Sequence, residues 1–304
     1  MDKTGWLVND YLTCIEGTKT LWHDLLENID GLKDMCSAPF TGLASRIEII
    51  SKENPPDYII RNASWFREMY IKTKTISLLQ DVLSGPALKT QCSVCNNSDL
   101  VIYNSWYTKD IYNKGLVKNN NFTVIPVGTD FNHFRTLDII EKEYDLIFVG
   151  AMNNKPKGFD LVDYIIKNTD YRFCLVLKNG YENNYKHDRV DVFNVVDHNK
   201  LLELYNKSKV SICTSTQETL HLAGIEAAAC GLPIVATDVG IYNKIKDLDG
   251  WGKVSSRQNF ILDIQEVLHN ITSYEPRKVM LSEGLDKESC MEKWKGAVAE
   301  TCNS

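Results

Sequence analysis

Short apolar runs alternate with amphipathic stretches along the whole chain. Gly5–Val8 reads as a buried first strand. A loop through Gly17 follows, then a helical stretch with Leu21, Leu25 and Leu26 at three- and four-residue spacing. Residues 57–60, 75–79, 100–103 and 123–125 are the next strands of a first group. A second group opens at residues 144–150 and continues with a helix from about Gly158, burying Phe159, Leu161, Val162, Ile165 and Ile166. Strands are expected at 172–177, 190–196, 210–213 and 233–237, and Asp197 has the position of an N-cap before Leu201, Leu202, Leu204 and Tyr205.

Strands that are apolar throughout, alternating with helices, are the signature of parallel sheets covered on both faces. The expectation is an α/β chain with two Rossmann-like parallel-sheet domains. The polar stretch 135–143 is the expected linker. It gives a first domain over 1–138, a second over 139–285, and a last helical stretch over 286–304.

The 304 residues suffice for two domains, each with its own core. A net charge of −6 works against a basic nucleic-acid groove, because phosphate binding is driven by Lys/Arg neutralisation. Nine cysteines, an odd number without regular spacing, read as reduced thiols. Residues 1–5 lack the regions of a signal peptide, and the most apolar window, 222–241, is interrupted by Glu226, Asp238 and Gly231-Leu232-Pro233. The expectation is a cytoplasmic protein with no transmembrane segment.

Candidate chemistry concentrates in residues 217–237, read as strand, loop, helix, glycine stop, strand. The small-residue helix 223–230 packs closely on a sheet, with Gly231 as its C′ residue and Pro233 beyond. Its N-terminus lies at the carboxyl end of a parallel strand, where open α/β sheets bind ligands. Free amides at Leu222 and Ala223, with the positive end of the helix dipole, suit a diphosphate. Glu218 and Glu226 flank that anion site, and carboxylates suit hydroxyls on either side of it. A nucleotide-sugar has this layout: sugar, diphosphate, ribose.

On these residues the chain resembles the retaining GT-B glycosyltransferases of glycosyltransferase family four, which includes bacterial phosphatidylinositol mannosyltransferases and sucrose-phosphate synthases. Their hallmark is Glu, seven residues, Glu, a small-residue helix, Gly-x-Pro and a strand, matched here from Glu218 to Thr237. Residues 124–134 resemble the segment leading out of the first domain. Phe148-Val149-Gly150 with Lys157-Gly158 resembles the diphosphate-binding turn, and 289–301 the C-terminal helix that crosses back to the first domain. The resemblance implies a GT-B fold, its two domains facing a central cleft. It implies Glu218 on the donor sugar, Glu226 on the ribose and Lys157 on the diphosphate. Leu222, Ala223, His221, Gly150 and Gly17 complete the expected donor site. No cofactor and no metal are expected. The donor is a nucleoside-diphosphate sugar, and the acceptor a glycan, lipid or small molecule; the acidic balance disfavours a nucleic-acid base.

The chain departs from that pattern in places. Ala151 stands where the family carries an Arg, His221 where it carries a small residue, and Gln80 where it carries a strand-ending His. Two other readings are a nucleotide-sugar epimerase and a non-catalytic nucleotide-sugar-binding subunit. Cys92 and Cys95 form a single CxxC without a second pair, which favours packed thiols over zinc. Asp247 and Asp249 form a DxD late in the chain, in a Lys-flanked turn, and read as solvated.

Overall fold

Two six-stranded sheets, every strand pair parallel, organise the chain in a computed structural model that describes residues 3–8, 16–35, 47, 51–63, 72–112, 115–138, 141–152, 154–178 and 185–304. The first unit holds β1 (Gly5–Val8), β2 (Leu32–Asp34), β3 (Tyr58–Asn62), β4 (Lys74–Leu79), β5 (Leu100–Tyr103) and β6 (Phe122–Val124). Their order is β2-β1-β3-β4-β5-β6. With them are helices α1 (Glu16–Asn28), α2 (Gly85–Asn96) and α3 (Trp106–Tyr112). Strands β1, β3 and β5 are buried along their whole length, as a sheet covered on both faces requires. Cys92 and Cys95 are free thiols buried with Val94, Val101 and Tyr103, as packing residues. Gly17 does not lie in a loop: α1 begins at Glu16 and includes it in the first turn.

The second unit holds β7 (Tyr144–Gly150), β8 (Phe173–Leu177), β9 (Val190–Asn194), β10 (Ser208–Cys213), β11 (Ile234–Ala236) and β12 (Gly252–Val254), in the order β12-β11-β10-β7-β8-β9. Its helices are α4 (Phe159–Asn168), α5 (His198–Asn206), α6 (Leu222–Ala229), α7 (Tyr242–Ile245), α8 (Phe260–His269) and α9 (Pro276–Ser282). The core runs through Leu146, Phe148, Ile165, Leu175, Val210, Val235 and Phe260. Asp197 caps α5, accepting from the Lys200 amide at 2.7 Å. Strand β9 ends two residues earlier than its apolar run, because Val195 turns to φ 46°.

The units divide at Gly128/Thr129, ahead of the linker read from polarity, and again at Asp286/Lys287. Residues 129–138 belong to the second unit because their backbone is held there. The Thr129 amide donates to Leu285 O, and Leu137 N to Asn206 Oδ1 at 2.8 Å. Arg277 donates to the carbonyls of Phe131 and Phe134. The last helix, α10 (Lys287–Asn303), belongs to the first unit, where Lys287 pairs with Asp24 of α1 and Lys3 Nζ donates to Cys302 O.

Candidate functional site

In the second sheet the chain leaves β7 towards β8 and β9, then returns to the other side of β7 with β10. Such a reversal opens a crevice at the carboxyl ends of the two central strands. Strand β7 ends at Gly150 and β10 at Cys213, and the candidate residues follow these two ends.

After β7 a 3₁₀ turn spans Lys155–Lys157 and closes on Gly158, at φ 65°. A Cβ at 158 would strike the Thr214 carbonyl oxygen, so only glycine lets this turn lie against the loop after β10. Two hydrogen bonds stitch the loops together: Thr216 N to Pro156 O at 2.7 Å and Thr214 Oγ1 to Lys157 O at 3.0 Å. The result is an ion pair with Lys157 Nζ 2.6 Å from Glu218 Oε1, and the Ser215 hydroxyl donates to the same oxygen at 2.8 Å. The Glu218 side chain is 11% exposed and that of Lys157 30%. Burial alone would raise the Glu218 pKa; the charges of His221 and Lys157 and the bonds from Lys157 and Ser215 outweigh it and hold the carboxyl below its ordinary value.

His221 takes the N-cap position of α6 in the left-handed region, φ 72° and ψ 67°. That conformation favours glycine, and here an imidazole is carried into it. His221 Nδ1 lies 2.6 Å from the Tyr242 hydroxyl, and the Tyr242 ring stacks on Trp251 with centroids 5.3 Å apart. Burial pushes the imidazole down to about 4, against the pull of Glu218, so the ring is neutral at neutral pH. The ammonium and hydroxyl partners therefore hold the carboxylate there. Gly224 lies inside α6 because a Cβ would collide with the Tyr242 hydroxyl. Gly240, at φ 56°, lets the loop before α7 pass Leu220 O, and Ile241 N donates to that oxygen at 3.2 Å.

One turn into α6, Glu226 accepts from the Tyr205 hydroxyl at 3.1 Å, and the same hydroxyl reaches Ala223 O at 2.9 Å. The first turn of α6 begins with Leu222 and Ala223, whose amides have no partner within the helix. So Glu218, Lys157, His221, Leu222, Ala223 and Glu226 all gather around the start of α6. Gly150 ends β7 with the Phe148 ring against its Cα face, which gives the glycine a packing role of its own. Gly17 belongs to the first unit. Asp247 and Asp249 are exposed after α7. Among the described residues no three His, Cys, Asp or Glu gather as a metal site.

Ser215 and Tyr242 escaped the sequence reading, which gave Tyr205 only a packing place; the roles of all three depend on tertiary structure. Gly224 left at most a weak signal: a glycine inside a helix costs roughly 0.5–1 kcal/mol against alanine, and here the Tyr242 hydroxyl fills the place of a Cβ.

Residues 143–270 match the family model described as glycosyl transferases group 1. Over 199 residues the chain is 27% identical to an uncharacterized glycosyltransferase of Methanocaldococcus jannaschii, covering 62% of this chain and 54% of that protein. Over 161 residues it is 24% identical to a component of the phosphatidylinositol N-acetylglucosaminyltransferase of Homo sapiens, covering 49% of this chain and 33% of that protein. The matches thus span about half, or less, of those relatives' length. Among solved structures, Anabaena HepE in complex with UDP superposes with a TM-score of 0.77 at 13% identity, covering 98% of this chain and 100% of that one. Sucrose-phosphate synthase from Thermosynechococcus elongatus superposes at 0.70 and 15% identity, covering 84% and 76%. The fold is therefore that of the GT-B glycosyltransferases, and the match to the group 1 glycosyl transferase model falls within the second unit.

Proposed function

We propose that the protein transfers a sugar from a nucleoside-diphosphate sugar to an acceptor hydroxyl, with retention at the anomeric carbon and without a metal ion or other cofactor. The observation that most supports this is the Lys157–Glu218 ion pair beside the start of α6, at the strand reversal of a domain matching group 1 glycosyl transferases. Anabaena HepE, which shares this fold, was solved with UDP, which makes UDP-sugars the first donors to test.

The chemistry turns on charge. As the bond from anomeric carbon to diphosphate breaks, negative charge grows on the leaving oxygen and positive charge on the sugar ring. Lys157 and the amides of Leu222 and Ala223 stabilise the former. Glu218 orients a sugar hydroxyl and favours the latter. Glu226, steadied by Tyr205, takes the ribose hydroxyls. The acceptor oxygen bonds to the anomeric carbon on the face the diphosphate leaves, and its proton passes to the departing phosphate oxygen. The acceptor is a glycan, lipid or small molecule. We assign the protein to the cytoplasm on the seven free cysteines among the described residues, six of them buried. No helix among the described residues is long and apolar enough to cross a membrane.

A thermal-shift screen of nucleotide-sugars identifies the donor, because a ligand that binds the folded state raises its stability. NMR of the product with that donor then reads the anomeric configuration. Retention with full activity in EDTA is expected. Inversion, or loss on chelation restored by Mn²⁺, overturns the mechanism. Donor binding without transfer turns the reading to a non-catalytic binding protein, which Ala151 in place of a basic residue would fit.

A further inference from the structure

Tyr242 lies outside the donor site described above, yet its hydroxyl meets a residue in it. The side chain is fully buried, stacked on Trp251 and fitted into the gap left by Gly224. Its only hydrogen-bond partner among the described residues is His221 Nδ1. Two proton arrangements fit the 2.6 Å contact. If Nδ1–H donated, the phenol proton would be left buried without an acceptor, at the full desolvation penalty of a lost donor. If the phenol donates, its proton is satisfied and only oxygen lone pairs go unused. Burial also holds the phenol well above its ordinary pKa, so that proton is retained.

The second arrangement fixes the imidazole. Nδ1 is the acceptor, so in the neutral ring Nε2 carries the proton. Nε2 takes no partner among the described residues and is not sealed off as a buried orphan. The ring is close enough to Glu218 and Lys157 for their charges to act on it. The backbone carries this ring in a left-handed turn, uncommon outside glycine, which histidine, asparagine and aspartate enter more readily than other residues.

We propose that Tyr242 is a positioning residue that locks His221 in the Nε2–H tautomer, so that His221 donates a hydrogen bond to a hydroxyl oxygen of the transferred sugar beside the one Glu218 accepts from. This rests on the donor-site reading above. A fixed acceptor next to a fixed donor reads a pair of neighbouring hydroxyls. It discriminates against a donor sugar lacking the one His221 addresses, because the N–H is then left without a partner.

The experiment has two arms. ¹⁵N NMR of histidine-labelled protein, without ligand, is expected to show His221 neutral with Nδ1 unprotonated and Nε2 protonated. In Tyr242→Phe, which keeps the stacked ring, that signal should move towards a mixture of tautomers. A protonated Nδ1 in the unmutated protein overturns the proposal, whatever the protein's activity. In the second arm, calorimetry and steady-state kinetics compare a UDP-hexose that binds with its monodeoxy analogues. Tyr242→Phe should lower kcat/KM for the parent donor about three- to tenfold, the scale of one neutral hydrogen bond. It should leave one deoxy analogue unchanged. An equal loss on every analogue means a merely structural role and overturns the sugar contact. If no UDP-hexose binds, the donor-site reading fails while the tautomer arm still decides the Tyr242–His221 lock.

Discussion

The two units build six-stranded parallel sheets by different windings. The first runs β2-β1-β3-β4-β5-β6, the flavodoxin-like order, with its reversal between β1 and β3. The second runs outward from β7 through β8 to β9, then back through β10, β11 and β12, the order of dinucleotide-binding folds. Their glycines differ as well. In the second unit Gly158, Gly240 and Gly252 combine positive φ with a backbone atom where a Cβ would go. In the first, Gly31 does the same against Lys3 O, away from any candidate residue, while a Cβ at Gly85, Gly115 or Gly296 would meet nothing. Of these, Gly158 lies where the loops after β7 and β10 meet, and its close backbone approach brings Lys157 to Glu218. A site assembled from two loops needs each held against the other.

The largest effect expected from breaking this arrangement is chemical. Glu218→Gln keeps the size of the side chain and removes its charge, so a charge-assisted hydrogen bond of about 1.5–3 kcal/mol is lost where the sugar is oriented. Turnover should fall roughly ten- to a hundredfold with donor affinity little changed, as kinetics and calorimetry on one preparation would show. Equal small effects on both would remove Glu218 from the chemistry.

Two glycine substitutions set one unit against the other. Gly158→Ala forces a Cβ into the Thr214 carbonyl at φ 65°, and should cost about 2 kcal/mol or more in denaturant unfolding, together with weakened donor binding. Gly296→Ala, inside α10 with open space around it, should instead stabilise by roughly 0.5–1 kcal/mol. If both substitutions were neutral, the contrast between the units would not hold.

Between these lies a pH effect. An imidazole pushed from 6.5 to about 4 by burial binds its proton more readily in the unfolded chain. Its contribution to stability is complete above pH 6.5 and declines as pH falls to 4. The melting temperature should drop through that window, and His221→Gly, which also relieves the positive φ, should flatten this part of the profile. An unchanged profile would mean that His221 titrates normally.

Much of this was legible in the chain. The apolar runs at 144–150, 172–177 and 100–103 marked their strands within a residue or so, since strands buried on both faces are apolar along most of their length, Asp145 near the start of β7 excepted. Asp197 marked a helix start, and the Glu218-to-Pro233 pattern marked the helix that collects the site. The short strands Leu32–Asp34 and Gly252–Val254 were not legible: with Lys33, Asp34 and Lys253 in them, neither shows an apolar run. Nor was the boundary after Gly128, because 129–138 is polar in sequence yet tied to the second unit through backbone carbonyls and Arg277. Tyr205 looked like a core residue, and Tyr242 carried no signal. Nothing local says that their hydroxyls end at Glu226 and His221.

The central claim is that the second unit holds a nucleoside diphosphate between Lys157 and the start of α6. Calorimetric titration of UDP and UDP-hexoses into the unmutated protein and into Lys157→Ala tests it most directly. Saturable binding by the unmutated protein is expected, weakened about ten- to a hundredfold in the variant, the scale of one charge-assisted hydrogen bond. Undiminished binding by Lys157→Ala would contradict the account, and so would the absence of binding by any nucleoside diphosphate or its sugars.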